Sequence, residues 1–286
     1  MQGIVIVNKP KGWTSFDVVN KIKRIFNTSK VGHLGTLDPM AEGVLPVAIG
    51  KATKLFDYYL NKTKSYVAEF EFGYETDTLD SEGKAINKSD VIPTISQINI
   101  MVGKLTGQIM QTPPKYSAIK INGKRAYSLA RQNIEFEPTP KQVEIFKLNC
   151  TKQIQPNKFE FEIECSSGTY IRSIARDLAQ LLGTYATMTK LTRIRSGNFY
   201  LNESKTITEL ELDPSKGILA LERVLGDLPQ IQVKEDKLPL LINGVQIKIS
   251  NKSNQFSTIY VGDKLFGLGT VVDGKLVVKV RLYEGE

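Results

Sequence analysis

The chain has 286 residues, with 38 Lys plus Arg against 30 Asp plus Glu and a formal net charge of +8. This length fits one large domain, or a large domain and a small one. A hydrophobic share of 41% is enough for a packed core, so the composition excludes a chain that is disordered throughout. Two cysteines cannot build a disulfide framework or a Cys-rich zinc site, and the single histidine, His33, excludes His-rich metal sites.

The sequence also lacks targeting and membrane signals. The first residues, MQGIVIVNKPKGW, contain no long apolar stretch behind a basic head, which is the pattern of a secretory signal. No window approaches 18 uninterrupted apolar residues, the length that a membrane-spanning helix requires. We therefore expect a cytoplasmic protein in a reducing environment.

The N-terminal part combines a strand pattern with a helix pattern. Residues 3–8 (GIVIVN) form a short apolar run that is typical of a buried strand. Thr14 and Asp17 have the spacing of a capping box, and apolar residues at helical spacing predict a helix over 15–26. Residues 31–46 contain three Gly and two Pro, which predicts a long loop, and long loops in compact domains are often functional.

The middle of the chain begins with a strand pattern. Residues 66–74 alternate between apolar and polar side chains, which predicts a strand with one solvated face, followed by the acidic loop TDTLDSEG. Thr94 and Gln97 form a second capping-box pair and predict the start of a helix. Residues 111–141 are basic and rich in turn residues, so we expect an irregular segment.

The C-terminal part changes in character after about residue 228. Before that point, the patterns predict a strand over 159–165, a helix over 168–182 that Gly183 ends, and an extended segment over 191–199. After it, short β-rich runs alternate with Asn-Gly, Gly-Asp and Asp-Gly turns. These runs predict a small β domain.

The charges are unevenly distributed. Residues 9–64 contain ten basic and four acidic side chains, residues 69–90 contain two and seven, and residues 104–147 contain eight and three. A polyanion would be attracted to the two basic segments and repelled by the acidic one. Tyr116 and Tyr127 lie among the cations of the second basic segment, a mixture that suits looped RNA. A solvated basic surface without a ligand would have the same composition.

Asp38 in the segment GTLDP is the residue that most suggests chemistry. It lies in a Gly-rich loop, directly before a proline that stiffens the backbone, and such a position can direct a carboxylate at a ligand. The alternative is an aspartate that only organises the loop through an Asx turn, because Asp-Pro is a common turn start.

Other candidate residues also have a structural alternative. Arg172, near the start of the predicted helix over 168–182, could pair with a buried carboxylate, but its spacing to Arg176 favours an exposed, solvated helix face. Tyr66 opens an alternating strand, which favours a core aromatic residue. His33 can be a hydrogen-bonded loop residue.

Five segments occur in an order that resembles a known family. They are VNKPKGWTS, GHLGTLDPMAEGVLPVAIGKATK, KSYVAEFEFGYETDTLDSEG, QTPPKYSAIKINGKRAYSLAR and CSSGTYIRSIARDLA. Together they are similar to the motifs of the TruB-type tRNA pseudouridine-55 synthases, over roughly residues 1–225. This family converts one uridine in the T-loop of tRNA to pseudouridine.

The resemblance implies roles for individual residues. Asp38 matches the catalytic nucleophile, and Arg172 matches the arginine that pairs with it. Tyr66 matches the aromatic residue under the target base and is expected to act in both catalysis and substrate binding. Tyr170 and Leu191 match residues that line the nucleoside pocket.

His33 and Lys9 complete the substrate-binding set that the resemblance implies. His33 matches the histidine that contacts the flipped nucleotide. Lys9 and Pro10 match a first motif whose main role is to brace the catalytic loop. The basic segment 111–141 resembles an insertion that closes over the T-stem–loop.

The implied reaction fits the composition. Isomerisation breaks the N1–C1′ bond of uridine, turns the base and joins C5 to C1′, without a redox step, a metal or a cofactor. It needs a carboxylate at C1′ or C2′ of the ribose, and the residues leave open whether that carboxylate is a nucleophile or a base. The base must also be extruded from the T-loop.

The implied fold is α+β, with a mixed, mostly antiparallel central sheet flanked by helices. We expect the catalytic domain over 1–228 and a small β-rich, PUA-like RNA-binding domain over 229–286. The implied partner is tRNA, bound by a monomer that needs no guide RNA, protein partner or membrane. Two other hypotheses are an RNA-binding protein without chemistry and a guide-dependent relative, against which the basic insertion argues.

Overall fold

The fold is given by a computed structural model, which describes residues 2–60, 62–117, 119–121, 123–132, 134–249 and 254–283. The helices are α1 (Ser15–Ile25), α2 (Phe56–Leu60), α3 (Ile95–Val102), α4 (Ala126–Arg131), α5 (Ile171–Leu181), α6 (Ile207–Leu212), α7 (Leu221–Val224) and α8 (Leu238–Ile242). The described part of the chain contains no helix with the length and hydrophobicity that crossing a bilayer requires.

The strands make up most of the remaining regular structure. They are β1 (Gly3–Lys9), β2 (Val31–His33), β3 (Glu42–Ile49), β4 (Lys64–Phe72), β5 (Tyr74–Thr76), β6 (Ala85–Lys88), β7 (Gly107–Gln111), β8 (Lys120–Ile121), β9 (Lys124–Arg125), β10 (Lys141–Gln155), β11 (Lys158–Cys165), β12 (Ala186–Ser196), β13 (Phe199–Tyr200), β14 (Ile218–Leu219), β15 (Gln230–Val233), β16 (Ile247–Lys248), β17 (Ser257–Val261), β18 (Lys264–Val272) and β19 (Lys275–Arg281).

A large central sheet organises the first three quarters of the chain. Its strand order is β14-β1-β3-β12-β4-β11-β10-β7, with β2 beside β3 and β13 beside β12. Within the described residues, its strand pairs are antiparallel except for β12 with β3, which are parallel. The expected mixed, mostly antiparallel sheet is therefore confirmed.

Two helices begin where the capping boxes predict. The Thr14 side chain accepts a hydrogen bond from the Asp17 N–H at 3.0 Å, and the Asp17 carboxylate accepts one from the Thr14 N–H at 2.8 Å. Thr94 and Gln97 make the same reciprocal pair at the start of α3. These bonds satisfy N–H groups that the first turn of a helix leaves unpaired, so both helix starts are confirmed.

Two of the predicted irregular segments contain regular structure. The loop over 31–46 is shorter than expected, because β2 and the start of β3 occupy its two ends and leave residues 34–41 between them. Strand β3 is buried on both faces, so it lacks the alternation that identifies a half-exposed strand. The segment 111–141 contains the short hairpin of β8 and β9 and the helix α4.

The central sheet is buried on both faces. Along β1, Val5 and Val7 belong to a hydrophobic cluster that includes residues of α1, α3 and α5. Ile4 and Ile6 alternate with them and belong to a second cluster on the opposite face. Because side chains alternate along a strand, the seven residues of β1 contribute side chains to the core on both faces of the sheet.

A second, smaller sheet is formed by the C-terminal strands, in the order β15-β17-β18-β19-β16. It has a hydrophobic cluster of its own, centred on the fully buried Phe266 and Ile259. Leu265 and Leu282 instead belong to the cluster that contains Ile4 of the central sheet. The two sheets are therefore packed against each other.

Candidate active site

Asp38 lies in the loop between β2 and β3, with about a third of its side chain exposed. The loop is attached to α1 just before this residue. Ser15, in the first turn of α1, accepts a hydrogen bond from the Leu37 N–H at 2.9 Å and donates one to the Leu37 carbonyl at 3.0 Å. This reciprocal pair limits the positions that the Asp38 carboxylate can take.

Lys9 supports the other side of the same loop. It is fully buried at the end of β1. Its ammonium group donates to three carbonyl oxygens, those of Pro10 at 3.0 Å, Trp13 at 2.6 Å and Pro39 at 3.3 Å. Burial lowers the pKa of Lys9 to about 8. The structure thus places Lys9 as a brace behind the residue after Asp38, and not in the wall of the cavity that Asp38 faces.

Arg193, on β12, supports the loop from beneath and is fully buried. Its guanidinium donates to the carbonyls of Val44 at 2.7 Å, Thr36 at 3.1 Å and Gly35 at 3.1 Å. Gly43 passes so close to this residue that a Cβ atom there would lie 2.4 Å from the Arg193 carbonyl oxygen. The planar fork of arginine suits three fixed acceptors better than a single ammonium group would.

Arg172 makes the central electrostatic contact of the site. It lies at the start of α5 with 7% of its side chain exposed. One terminal nitrogen lies 2.8 Å from Asp38 Oδ2, and the other lies 3.3 Å from Asp80 Oδ2. The interpretation as an exposed arginine on a solvated helix face is therefore wrong, because loops from the rest of the chain cover this part of the helix.

Backbone carbonyls complete the surroundings of Arg172. Its guanidinium donates to the carbonyls of Thr78 at 3.0 Å and Tyr116 at 3.2 Å. The first belongs to the acidic loop and the second to the basic segment 111–141. One side chain thereby connects the loop of Asp38, the acidic loop and the insertion.

Asp80 is a buried residue of the cavity lining that the sequence patterns did not single out. It is 5% exposed, and its Oδ1 accepts hydrogen bonds from the Thr78 hydroxyl at 2.6 Å and the Glu82 N–H at 3.1 Å. Its other carboxylate oxygen, Oδ2, forms the ion pair with Arg172. The acidic segment 69–90 is expected to be repelled by a polyanion, and this stays a prediction; the structure shows that Asp80 and Glu82 of this segment line the cavity. The pattern TDTLDSEG was visible, but nothing local distinguishes a buried aspartate from its exposed neighbours.

Tyr170 is positioned by a buried glutamine. Gln111, at the end of β7, accepts a hydrogen bond from the Tyr170 N–H at 2.8 Å and donates one to the Tyr170 carbonyl at 3.2 Å. These bonds orient the residue that precedes α5. Burial raises the pKa of the Tyr170 hydroxyl above its usual value.

Tyr66 and Leu191 come from two neighbouring strands of the sheet, β4 and β12, and are 7% and 4% exposed. Burial raises the pKa of the Tyr66 hydroxyl to about 12, although the cation of Arg193 partly opposes this effect. The hydroxyl therefore keeps its proton at neutral pH.

These residues surround one cavity of about 530 Å³. Asp38, Tyr66, Tyr170, Arg172 and Leu191, which were predicted from separate segments, all line it. The lining also includes residues that were not predicted as site residues, namely Asp80, Glu82, Lys64, Tyr116 and Tyr127. The cavity volume lies in the range of small-ligand sites and can hold one nucleoside.

Lys64 adds a cation to this cavity. It is 7% exposed, and its ammonium group donates to the carbonyls of Leu60 at 3.1 Å and Lys62 at 2.7 Å. Burial lowers the pKa of Lys64 to about 8. An ammonium group has three donors, so one N–H remains beyond these two carbonyls.

His33 lies at the end of β2 and is not among the residues that line the cavity. Its Nδ1 accepts a hydrogen bond from the Gly35 N–H at 3.4 Å. Burial, and secondarily the charge of Arg193, lowers the pKa of His33. Contact between His33 and a nucleotide stays a prediction, and the structure shows the hydrogen-bonded loop histidine that was the alternative.

Family comparisons identify what the chain is similar to. The family model described as TruB family pseudouridylate synthase (N terminal domain) matches residues 23–171. The model described as tRNA pseudouridylate synthase B C-terminal domain matches residues 172–225. Together these matches contain every cavity-lining residue named above.

Individual relatives extend the similarity over almost the whole chain. A protein named tRNA pseudouridine synthase B from Clostridium tetani is 40% identical over 288 residues, which covers 98% of this chain and 99% of that protein. One of the same name from Lactobacillus gasseri is 38% identical, with 92% of each chain covered. A chain in the crystal structure of a Cbf5-Nop10-Gar1 complex has a TM-score of 0.73 and 27% identity, and the match covers 98% of this chain and 84% of that one. The protein therefore belongs to the TruB family of pseudouridylate synthases.

Proposed function

We propose that this protein isomerises one uridine in the T-loop of tRNA, at position 55, to pseudouridine, with Asp38 as the essential carboxylate. The observation that carries the proposal is the 2.8 Å ion pair of Asp38 with Arg172 at the wall of a nucleoside-sized cavity. Membership of the TruB family supports the reaction, and relatives named tRNA pseudouridine synthase B support tRNA as the substrate.

Asp38 acts on the ribose of the target uridine. Its carboxylate either attacks C1′ or removes a proton from C2′, and in both cases the electron pair of the N1–C1′ bond leaves with the uracil ring. The ring turns and C5 bonds to C1′; in the first route the bond between C1′ and the Asp38 oxygen breaks at this step, and in the second Asp38 returns the proton to C2′. The proton on C5 is then lost to a base and N1 takes up a proton, so the product is an isomer of the substrate. Arg172 orients the carboxylate, because its guanidinium lies 2.8 Å from Asp38 Oδ2 and is itself held by backbone carbonyls.

Tyr66 and Leu191 supply the apolar walls against which the uracil can lie. The Tyr66 ring stacks on the base, and its protonated hydroxyl is a candidate to relay the C5 proton. Tyr170 closes the wall beside Asp38. A cavity of this size admits one nucleotide and not a base pair, so the uridine must leave its stack to reach Asp38.

The RNA around the target nucleotide is bound by the basic segments. Tyr116 and Tyr127 line the cavity with their ring centroids 6.2 Å apart, which brings two aromatic side chains of the segment 111–141 to its wall. His33 contacts the flipped nucleotide once RNA displaces the local loop bonds. The catalytic unit is residues 1–228, and the β-rich unit 229–286 is a PUA-like RNA-binding module.

The protein works as a cytoplasmic monomer on tRNA alone, without a guide RNA. One similar structure contains Nop10 and Gar1 beside its Cbf5 chain, so dependence on such partners is the alternative to test. Relatives of the same name that align over nearly their full length support a stand-alone enzyme.

The test is to incubate the purified protein with an unmodified T-stem–loop transcript and to map pseudouridine by carbodiimide labelling and primer extension. We expect conversion at one uridine by the wild type, none by Asp38→Ala, and unchanged RNA binding by that variant. The matched control is Asp90→Ala, which changes an exposed aspartate outside the cavity. Near-normal conversion by Asp38→Ala would exclude the proposed role, and conversion only with added guide RNA would exclude stand-alone action.

A further inference from the structure

A second cavity, of about 830 Å³, lies where the C-terminal sheet meets the region of α2. We call it the junction cavity. Its lining includes four cationic side chains, Lys54 and Lys62 from the first unit and Lys279 and Arg281 from β19. In the described part of the chain, one carboxylate, that of Asp57, lies in the same lining. The excess of positive charge suits an anionic ligand.

The cations are held at this cavity by specific contacts. The Lys62 ammonium group lies over the Tyr58 ring at 4.2 Å from its centroid, and Tyr58 is stacked on Phe256 with centroids 5.4 Å apart. The Lys54 ammonium group donates to the Arg281 carbonyl at 3.2 Å. Lys279 and Arg281 flank Val280 on β19, where a β-bulge at Lys279 interrupts the pairing with β18, and the Arg281 guanidinium donates to the Ile242 carbonyl at 3.0 Å.

The junction cavity is connected along the chain to the active-site cavity. Lys62 lines the junction cavity, whereas Leu60 and Lys64 line the cavity of Asp38. The carbonyl of Lys62 also accepts a hydrogen bond from Lys64. One short segment, residues 60–64, therefore contributes to the lining of both cavities.

The C-terminal sheet contributes to the junction cavity and to no described part of the active-site lining, which ends at Leu191. We propose that the junction cavity binds the phosphodiester backbone of the same tRNA outside its T-stem–loop. This inference rests on the proposed function. It assigns a substrate-binding role to Lys279 and Arg281, which stand far along the sequence from the residues of the reaction. A phosphodiester backbone supplies the repeated negative charge that four clustered cations attract.

The experiment compares two RNAs, full-length unmodified tRNA and its isolated T-stem–loop, with wild-type protein and the double variant Lys279→Gln/Arg281→Gln. Dissociation constants are measured by fluorescence anisotropy over a series of salt concentrations, and turnover is measured on both RNAs. The control is Lys234→Gln, which removes an exposed cation of the same unit outside the junction cavity. Thermal melting checks that the variants fold.

We expect the double variant to bind full-length tRNA about tenfold more weakly at moderate salt, and its slope of log K against log salt to decrease in magnitude by about 1 to 2. Binding and turnover of the T-stem–loop should stay within about twofold of wild type. The inference is overturned if tRNA binding is unchanged, if both RNAs lose affinity equally, or if Lys234→Gln has the same effect. Failure of the wild type to convert the T-stem–loop would instead contradict the proposed function.

Discussion

The Arg172 guanidinium lies 2.8 Å from the Asp38 carboxylate and is nine-tenths buried, while its other terminal nitrogen faces Asp80 at 3.3 Å. One cation thus pairs with a partly exposed carboxylate that can reach a substrate and with a buried one that cannot. Asp80 in turn is held by Thr78 and by the backbone of Glu82. This order of contacts suggests that Asp80 orients Arg172, and that Arg172 orients Asp38.

The first prediction concerns the geometry of this pair. Arg172→Lys keeps the positive charge, but one ammonium group cannot reach both carboxylates and the carbonyls of Thr78 and Tyr116. We expect turnover to fall by about 100-fold, which corresponds to about 2.7 kcal/mol of transition-state stabilisation, with RNA affinity retained. Single-turnover kinetics and binding measurements separate these effects.

Arg176→Lys is the control for this variant. Arg176 lies one turn further along α5, outside the lining of the catalytic cavity, and pairs with Asp177. It should change turnover by no more than about threefold. Full activity in Arg172→Lys would remove the proposed orienting role.

The second prediction concerns Arg193. Arg193→Met leaves the carbonyls of Gly35, Thr36 and Val44 without a buried donor, so we expect a loss of about 3 kcal/mol in the free energy of unfolding and a lower kcat. Urea unfolding and turnover measure the two effects. Arg195→Met, on the same strand, removes a pair with the more exposed Glu164 at 2.5 Å and should cost less than about 1 kcal/mol. Equal losses in both variants would contradict a special role for Arg193.

The third prediction is a pH dependence with opposite signs for activity and stability. The pKa of Lys9 is lowered by burial to about 8, so Lys9 loses its proton as the pH rises through that value. The neutral amine has two N–H donors for three carbonyls, which loosens the loop of Asp38. Turnover should therefore fall above pH 8. The burial cost of the charged form is present below about pH 8 and is relieved between there and the unfolded value of 10.5, so this contribution to stability should improve over the same range.

Two variants separate this effect from that of Lys64, whose pKa is also about 8. Lys9→Met should be less active at all pH values, and its turnover should lack the fall above pH 8 that loss of the Lys9 proton causes. Lys64→Met should retain this fall in turnover above pH 8. A wild-type rate that stays constant from pH 7 to pH 9.5 would show that protonation of Lys9 does not govern the loop.

The fourth prediction concerns the Tyr66 hydroxyl. In the proposed function the Tyr66 ring stacks on the target base, and Tyr66→Phe keeps this ring while it removes the hydroxyl proposed to relay the C5 proton. We expect RNA binding to be unchanged, turnover to fall by about 100-fold, and deuterium at C5 of the target uridine to slow the remaining reaction. Tyr74→Phe, in β5, the next strand along the chain, and outside the cavity lining, is the control. Turnover by Tyr66→Phe at the wild-type rate would assign the proton relay to another group.

Local patterns predicted the local features of this protein. The capping boxes at Thr14 and Thr94 define helix starts because their hydrogen bonds join residues three apart in sequence. Asp38 stood out because its glycine-rich loop and following proline are adjacent to it in the chain. Patterns failed where tertiary packing overrides them, as in β3, whose residues are buried on both faces and lack alternation.

The sequence by itself determined the starts of α1 and α3, the five motifs that resemble one family, and Asp38 as the central candidate. Tertiary structure alone decided which partner each side chain has. The carboxylates of Asp38 and Asp80 meet at Arg172, and Arg193 lies beneath the catalytic loop, because strands distant in sequence become neighbours in the sheet. Burial and ion pairing depend on residues that are brought together only in the folded structure. The spacing of Arg172 and Arg176 in the sequence therefore favoured an exposed Arg172, whereas in the structure Arg172 is buried and contacts both Asp38 and Asp80.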